Sequence, residues 1–232
     1  MGKHRTGRAE LRDTRHMRIW CVGRLPPSRE GALTVSLGVA VVVLLALYAP
    51  LNHGPARWSP KTPLDDEIPL VAPMVVPYLS IYPLAVLTAI ALVARSPRLL
   101  NSALLAVVLT LLASYATYLA AQTYVARPSV DGSDMFSTLL RAVYARDQPY
   151  NAFPSLHVGL STVSAIHWIW SGWRFRAVPA AWCGVIVGST VFVHQHYLAD
   201  LFGGFVVGRA ASLLSRRVLW RDQGPVAASG GG

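Results

Sequence analysis

Cysteine is nearly absent from this chain. Cys21 and Cys183 are the only two, one in a basic polar stretch and one inside an apolar run, which excludes a disulfide framework. Charge is scarce as well: only 14% of the 232 residues are Asp, Glu, Lys or Arg, and acidic side chains number 11 against 21 basic ones. What fills the space is apolar. Hydrophobic residues make up 53% of the sequence and gather into segments long enough to cross a bilayer. The net charge of +10 does not point to nucleic acid, because Lys and Arg fall at the ends of the apolar segments instead of clustering on one polar face. The fold class expected is all-α and membrane-integral.

Residues 1–30 carry Lys3, Arg5, Arg8, Arg12, Arg15, Arg18, Arg24 and Arg29 against Glu10, Asp13 and Glu30, and such a segment stays in the cytoplasm. A signal peptide also opens with basic residues before an apolar run. No small-x-small cleavage site follows residues 33–48, however, so they read as an uncleaved first membrane span. The basic segment either lies on anionic lipid as an amphipathic helix anchored by Ile19 and Trp20, or is a solvated tail. Five further spans are expected at 74–94, 99–123, 155–170, 178–193 and 197–219, giving a six-helix bundle.

The connections carry their own signals. Prolines at 50, 55, 60, 63 and 69 forbid a long helix there, and Asp65, Asp66 and Glu67 within that loop read as solvated or as a helix start, not as a metal site. Pro77 and Pro83 are expected to kink the second span. The connection over 124–153 is long for an ordinary loop, which marks a functional or lid-like segment, and 135–144 reads as a short amphipathic helix on the membrane surface. Gly184 with Gly188, and Gly204 with Gly208, have the spacing of close helix contacts, although chance in Gly-rich apolar sequence explains them equally well. Residues 221–232 are polar and Gly-rich and are expected to be disordered. The division expected is therefore 1–30, 31–220 and 221–232.

Six spans put both termini on one side, and the charges test that topology. Sixteen Lys and Arg residues then share the terminal side, the last of them at Arg95, Arg98, Arg174, Arg176, Arg209, Arg216, Arg217 and Arg221. Only Arg57, Lys61, Arg127, Arg141 and Arg146 lie opposite. The bias places both termini in the cytoplasm, of a plasma-membrane protein, and puts Arg127, His157, His196 and Asp200 together at the extracytoplasmic ends of their segments.

Those residues suit phosphoryl chemistry. His196 and Asp200 are four apart, within hydrogen-bonding reach on one face of a helix, and an imidazole oriented by a carboxylate has a fixed tautomer and a more basic free nitrogen. A charge near mid-bilayer costs roughly 2.5–3.5 kcal/mol, so the pair needs a reason to be there. A phosphate ester resists attack until its negative oxygens are neutralised, a nucleophile is supplied and the leaving oxygen is protonated. Ser155 opens the fourth helix, where free N–H groups make an anion site. Arg127 offers a planar fork for phosphate oxygens. His157 is placed to act as general acid and then base, and His196 to attack phosphorus and form a phosphohistidine. His194 is a candidate supporting group although it lies off the face shared with Asp200. His167 reads as a helix-packing hydrogen bonder. The His194, His196 and Asp200 spacing could ligate zinc, but nothing completes the set, so neither a metal nor another cofactor is expected.

Arg127-Pro128, Pro154-Ser155-Leu156-His157 and the run from Ser189 through His196 to Asp200 resemble the three signature motifs of the type 2 phosphatidic acid phosphatase superfamily. The resemblance covers roughly residues 33–220. It implies a six-helix core, a phosphohistidine mechanism and an extracytoplasmic site. The usual Lys of the first motif is Ala120 here, the usual Gly of the second is Leu156, and the usual Arg of the third is Thr190. Two phosphate-binding cations are missing, which disfavours a dianionic monoester and suits a monoanionic phosphodiester. The phrases NAFPSLH, beginning at Asn151, and STVFVHQHYLAD, beginning at Ser189 and Thr190, are similar to the inositol phosphorylceramide synthase branch, with Leu156 after the Ser as one of the shared features. The expected activity is transfer of a phospho-headgroup from a phospholipid to an alcohol or lipid acceptor. The alternative is a lipid phosphatase with water as acceptor, and a lipid-binding or transport protein without turnover is the third reading.

Overall fold

The computed structural model describes residues 27–56 and 58–220. Eight α-helices run through them: α1 (Pro27–Leu51), α2 (Val75–Leu79), α3 (Ile81–Arg95), α4 (Pro97–Ala120), α5 (Met135–Arg146), α6 (Leu156–Ser171), α7 (Ala177–Phe192) and α8 (Leu198–Trp220). Short 3-10 turns form at Pro63–Glu67 and Ala72–Met74. Among the described residues there is no strand; two isolated bridges, Trp58 with Thr123 and Tyr124 with Tyr150, pin loops together. The amphipathic or solvated segment expected at the N-terminus and the disordered tail expected at 221–232 lie outside the described residues, apart from 27–30, which already belong to α1.

Four helical stretches are long and apolar enough to cross a membrane: Arg29–Leu51, Ala72–Arg95, Pro97–Ala120 and Leu198–Trp220. Helix α7 is apolar but has 16 residues. Exposed Val35, Val42 and Phe202, each about two-thirds or more accessible, are the outward side chains that a lipid-facing surface requires. The chain is a membrane protein of helical class.

Several boundaries differ from those read in the sequence. The second span, expected to kink at Pro77 and Pro83, is divided into α2 and α3 at Ser80, which lies between the two prolines and whose Oγ donates to the Pro77 carbonyl at 2.6 Å. Helix α1 runs through Pro50 and ends one residue later at Leu51, the proline removing its own N–H bond and crowding the carbonyl four residues back. Helix α4 stops at Ala120, so Arg127 stands on the loop beyond it, not at the helix end.

Helix α6 sits at the centre, against α4, α7 and α8. Its contact with α8 is set by glycine: a Cβ at Gly204 would stand 2.4 Å from the Ser155 carbonyl oxygen, and one at Gly208 would stand 2.5 Å from that of Gly159. The Gly204 and Gly208 spacing is thus a true close approach. Gly184 and Gly188 on α7 have nothing within 4 Å and make no such contact within the described chain. Deeper in the bundle, Ser102 of α4 bonds His167 of α6 and Ser215 of α8, each at 3.1 Å, while His167 Nδ1 meets the Val163 carbonyl at 2.8 Å. A carbonyl only accepts, so Nδ1 carries the proton and Ser102 donates to Nε2. Ser102 therefore ties three helices together, with His167 as its partner on α6.

Candidate active site

Two irregular segments meet where α6 and α8 begin. The FPS stretch is held by Phe153 N–H donating to Thr123 Oγ1 at 2.8 Å and by Tyr118 Oη donating to the Pro154 carbonyl at 2.7 Å. Ser155 N–H then donates to the Asp200 carbonyl at 3.1 Å, joining the two helix starts directly. The 193–197 turn is held from behind by the Thr190 carbonyl, which accepts the N–H groups of Gln195 at 3.0 Å and His196 at 3.3 Å. His194 and Asn151 both have left-handed backbone, with φ of 48° and 55°, a conformation that costs a non-glycine residue of order 1 kcal/mol and clusters at functional sites.

His196 is not on the helix with Asp200, as the spacing suggested; it precedes α8, and Asp200 lies in the first turn. The Nδ1 atom of His196 is 3.1 Å from the Ala152 carbonyl and 3.6 Å from Asp200 Oδ2. The carbonyl fixes the proton on Nδ1 and leaves the lone pair on Nε2. The buried Asp200 carboxylate supplies charge beside the ring and accepts the Tyr197 N–H at 2.8 Å through Oδ2. Its Oδ1 is buried without a partner.

A second carboxylate serves the same helix start. Asp65, expected to be solvated or at a helix start, lies in the first turn of the Pro63–Glu67 3-10 helix and is buried: its Oδ1 accepts the Leu198 N–H at 2.8 Å, and its Oδ2 accepts the backbone N–H and hydroxyl of Thr62, each at 2.7 Å. Two acids thus satisfy first-turn donors of α8, where negative charge is favoured by the helix dipole. Lys61 with Asp66 forms an exposed ion pair in the same loop.

His157, in the first turn of α6, faces His196 with ring centroids 6.3 Å apart. Its other face stacks on Tyr78 of α2, at 4.2 Å and 17°. Ser155 caps α6, its Oγ accepting the Val158 N–H at 3.3 Å, so the N–H groups of Leu156 and His157 at the helix start have no helical acceptor. The Leu156 side chain packs into the apolar cluster of Leu111, Tyr115 and Tyr118.

Arg127 is brought alongside by Ala126 N–H, which donates to the Tyr197 hydroxyl at 3.0 Å. Its guanidinium is well occupied. One terminal nitrogen donates to the Asp147 carbonyl at 2.6 Å and the Tyr144 carbonyl at 3.4 Å, the other donates to the Gln148 carbonyl at 3.3 Å and to Gln195 Oε1, and the group lies 4.7 Å over the Tyr144 ring. Only Nε is buried without a partner. Burial pulls the Arg127 pKa below its ordinary value, against the nearby Asp147 carboxylate, which pulls it up. Asp147 is in turn raised by burial and held down by Arg127 and by hydrogen bonds from Tyr48, at 3.1 Å, and Asn52, at 2.6 Å.

The other sequence candidates stand further off. The hydroxyls of Ser189 and Thr190 donate to carbonyls of their own helix, at 2.6 and 2.7 Å, so only the Thr190 carbonyl supports His196. Asn151 bridges the end of α1, donating to the Leu51 carbonyl at 2.8 Å and accepting from Gln122 at 2.9 Å. Sequence reading missed Gln195, Tyr78, Tyr144 and the structural part played by Asp147. Gln195, lodged between the two histidines of HQH, was the most legible of these; the tyrosines and the acid lie on other segments and carried no local signal.

Among the described residues, seven buried side-chain polar atoms lack a partner. Five belong to this cluster: Arg127 Nε, His157 Nε2, His194 Nε2, Gln195 Nε2 and Asp200 Oδ1. Buried polar atoms are ordinarily bonded, so their concentration marks a site that recognises something polar. Among the described residues no three His, Cys, Asp or Glu side chains group so as to hold a metal ion.

A family model described as the PAP2 superfamily matches residues 43–214, which contain every residue of this cluster. The chain belongs to the PAP2 superfamily. No curated protein and no solved structure matches it. Membership of the PAP2 superfamily gives the chain a function of the lipid phosphatase or phosphotransferase type, acting on lipid phosphates in a membrane. Within this PAP2 protein the three motif segments, far apart in sequence, converge on the helix starts of α6 and α8.

Proposed function

We propose that this protein is a lipid phosphotransferase that moves a phospho-headgroup, of the phosphoinositol kind in the similarity of its motifs, from a phospholipid to an alcohol or lipid acceptor. One observation carries the reading: two imidazoles face each other at 6.3 Å, one of them with its proton fixed on Nδ1 by a backbone carbonyl. Nε2 of His196 attacks phosphorus. His157 protonates the departing diacylglycerol oxygen and then takes the proton of the acceptor. Asp200 stabilises the charged ring, and the first N–H groups of α6, beside Ser155 and Leu156, receive phosphate oxygens. Arg127 supplies the cation, with His194, Ser189, Thr190 and Asn151 shaping the surroundings. No metal or other cofactor enters.

Preference for a phosphodiester is supported by the poverty of free positive charge. The positions that would carry further cations hold Ala120 and Thr190, and the Arg127 guanidinium is already divided among three backbone carbonyls and Gln195. A dianionic monoester needs more compensation than that. The sequence supports a plasma-membrane protein of six spans, comprising α1, α2 with α3, α4, α6, α7 and α8. It divides into a basic segment 1–30, a membrane domain 31–220 and a tail 221–232, with both termini cytoplasmic and the site opposite, on the sixteen-to-five bias of its basic residues.

The test uses the full-length protein in phospholipid vesicles with headgroup-labelled phosphoinositol lipid and candidate acceptor alcohols. The expected result is a labelled transfer product, with His196→Ala and His157→Ala each inactive. Release of free phosphate from a monoester with no transfer product favours the phosphatase reading. Lipid binding without turnover removes both.

A further inference from the structure

His157 has no acid of its own. The ion pairs among the described residues are His196 with Asp200 and Lys61 with Asp66, and the Nε2 atom of His157 is buried without a hydrogen-bond partner. A general acid must nevertheless be an imidazolium before it gives up its proton. The group that covers it is Tyr78, whose ring lies flat against the imidazole at 4.2 Å and 17°.

That stacking is built. Tyr78 is 2% exposed and packs in one apolar cluster with Val75, Leu140 of α5 and Val193 before α8. It sits on the short helix α2, which ends at Ser80, whose hydroxyl donates to the Pro77 carbonyl. Where the second span passes the site, Tyr78 of α2 presents its π face to the second histidine.

We propose that Tyr78 is a positioning residue for the acid–base step, its π face fixing the plane of His157 and favouring the imidazolium over the neutral ring. This rests on the assignment of His157 as proton donor. In the first half-reaction the His196 Nε2–P bond forms as the P–O bond of the lipid breaks, and the His157 proton passes to that oxygen. In the second, the acceptor oxygen bonds phosphorus as the N–P bond breaks, and the acceptor proton returns to His157. The ring therefore alternates between charged and neutral forms, and an aromatic face attracts the charged one more strongly than the neutral one. The charged groups beside it push both ways: His196, when protonated, opposes a second cation, and the Asp200 carboxylate stands 3.6 Å from the Nδ1 atom of His196.

The sign of the effect follows. Activity requires protonated His157, so it falls as pH rises through the pKa of that ring, and loss of the π face moves this alkaline limb to lower pH. The experiment measures pH profiles of headgroup transfer by the full-length protein in vesicles of phosphoinositol lipid. Tyr78→Phe is expected to keep the limb, and Tyr78→Leu to move it down by up to about one pH unit with about a tenfold loss at pH 8. Should Tyr78→Leu fold poorly, mono-, di- and trifluorinated phenylalanines at position 78 keep the shape while draining the π face, and the limb should step down with each fluorine. A flat fluorine series overturns the proposal, as does a wild-type limb in folded Tyr78→Leu. Full turnover in His157→Ala would instead remove the acid assignment on which it rests.

Discussion

Nδ1 of His196 donates to the carbonyl oxygen of Ala152 at 3.1 Å, a shorter contact than the 3.6 Å that separates the same nitrogen from Asp200. The tautomer of His196 is therefore held by backbone, and the carboxylate contributes charge. In a hydrolase whose Asp alone sets the tautomer, Asp→Asn costs about 10⁴ in kcat. Here Asp200→Asn should keep the ring in place and cost less, roughly 10²-fold, in single-turnover formation of the phosphohistidine. A loss as complete as that of His196→Ala would mean that the carbonyl does not fix the ring.

Arg127 bonds carbonyls of two successive residues, Asp147 and Gln148, as well as Gln195, and lies over Tyr144. A lysine keeps the charge but not the planar fork. Arg127→Lys should thus destabilise the protein by about 2 kcal/mol, the worth of a charge-assisted bond or two, read as a lower melting temperature in detergent. Activity should fall further than melting explains, because the 193–197 turn loses its tie to the 144–148 segment.

Asp147 gives the protein a pH dependence of definite sign. Burial raises its pKa above the ordinary carboxylate value near 3.9, so the folded state binds a proton that the unfolded state releases. Its contribution to stability is full below the unfolded pKa and is lost as pH rises through the folded one. Asp147→Asn keeps an oxygen to accept from Tyr48 and Asn52. The variant should show a melting temperature less dependent on pH just above pH 4 than the parent does. An unchanged slope there would remove this role for the carboxyl.

Much of the site was legible because motif chemistry is local. Ser155 and His157 are two residues apart at one helix start, and His196 and Asp200 are four apart at another, so short-range spacing was enough to place them together. What local spacing cannot carry is the partner from another segment. Asp65 looked solvated beside Asp66 and Glu67, yet its carboxylate bonds a helix start 133 residues later. Tyr78 lay inside an apolar run where an aromatic needs no explanation, and its significance comes only from its stacking on His157 of another helix. Glycine spacing was likewise ambiguous, since the same pattern occurs where helices touch and where nothing lies opposite.

That ambiguity supplies a test of the geometry on which the site depends. Gly204 lies across from Ser155, and a methyl group there would meet the Ser155 carbonyl oxygen at 2.4 Å and the Val158 Cβ at 2.8 Å. These are backbone and branch-point atoms, which cannot step aside as the end of a flexible side chain can. Gly204→Ala should force α6 and α8 apart, costing about 1–3 kcal/mol in stability. It should also separate His157 from His196, so that transfer falls by more than the lost folded fraction. Gly184→Ala and Gly188→Ala meet nothing within 4 Å. There the gain in helix propensity, up to about 1 kcal/mol, should leave the protein as stable as before or more so, with activity intact. Melting temperature and transfer rate measured on all three variants check the argument: equal behaviour would mean that the contact between α6 and α8 does not set the distance between the two histidines.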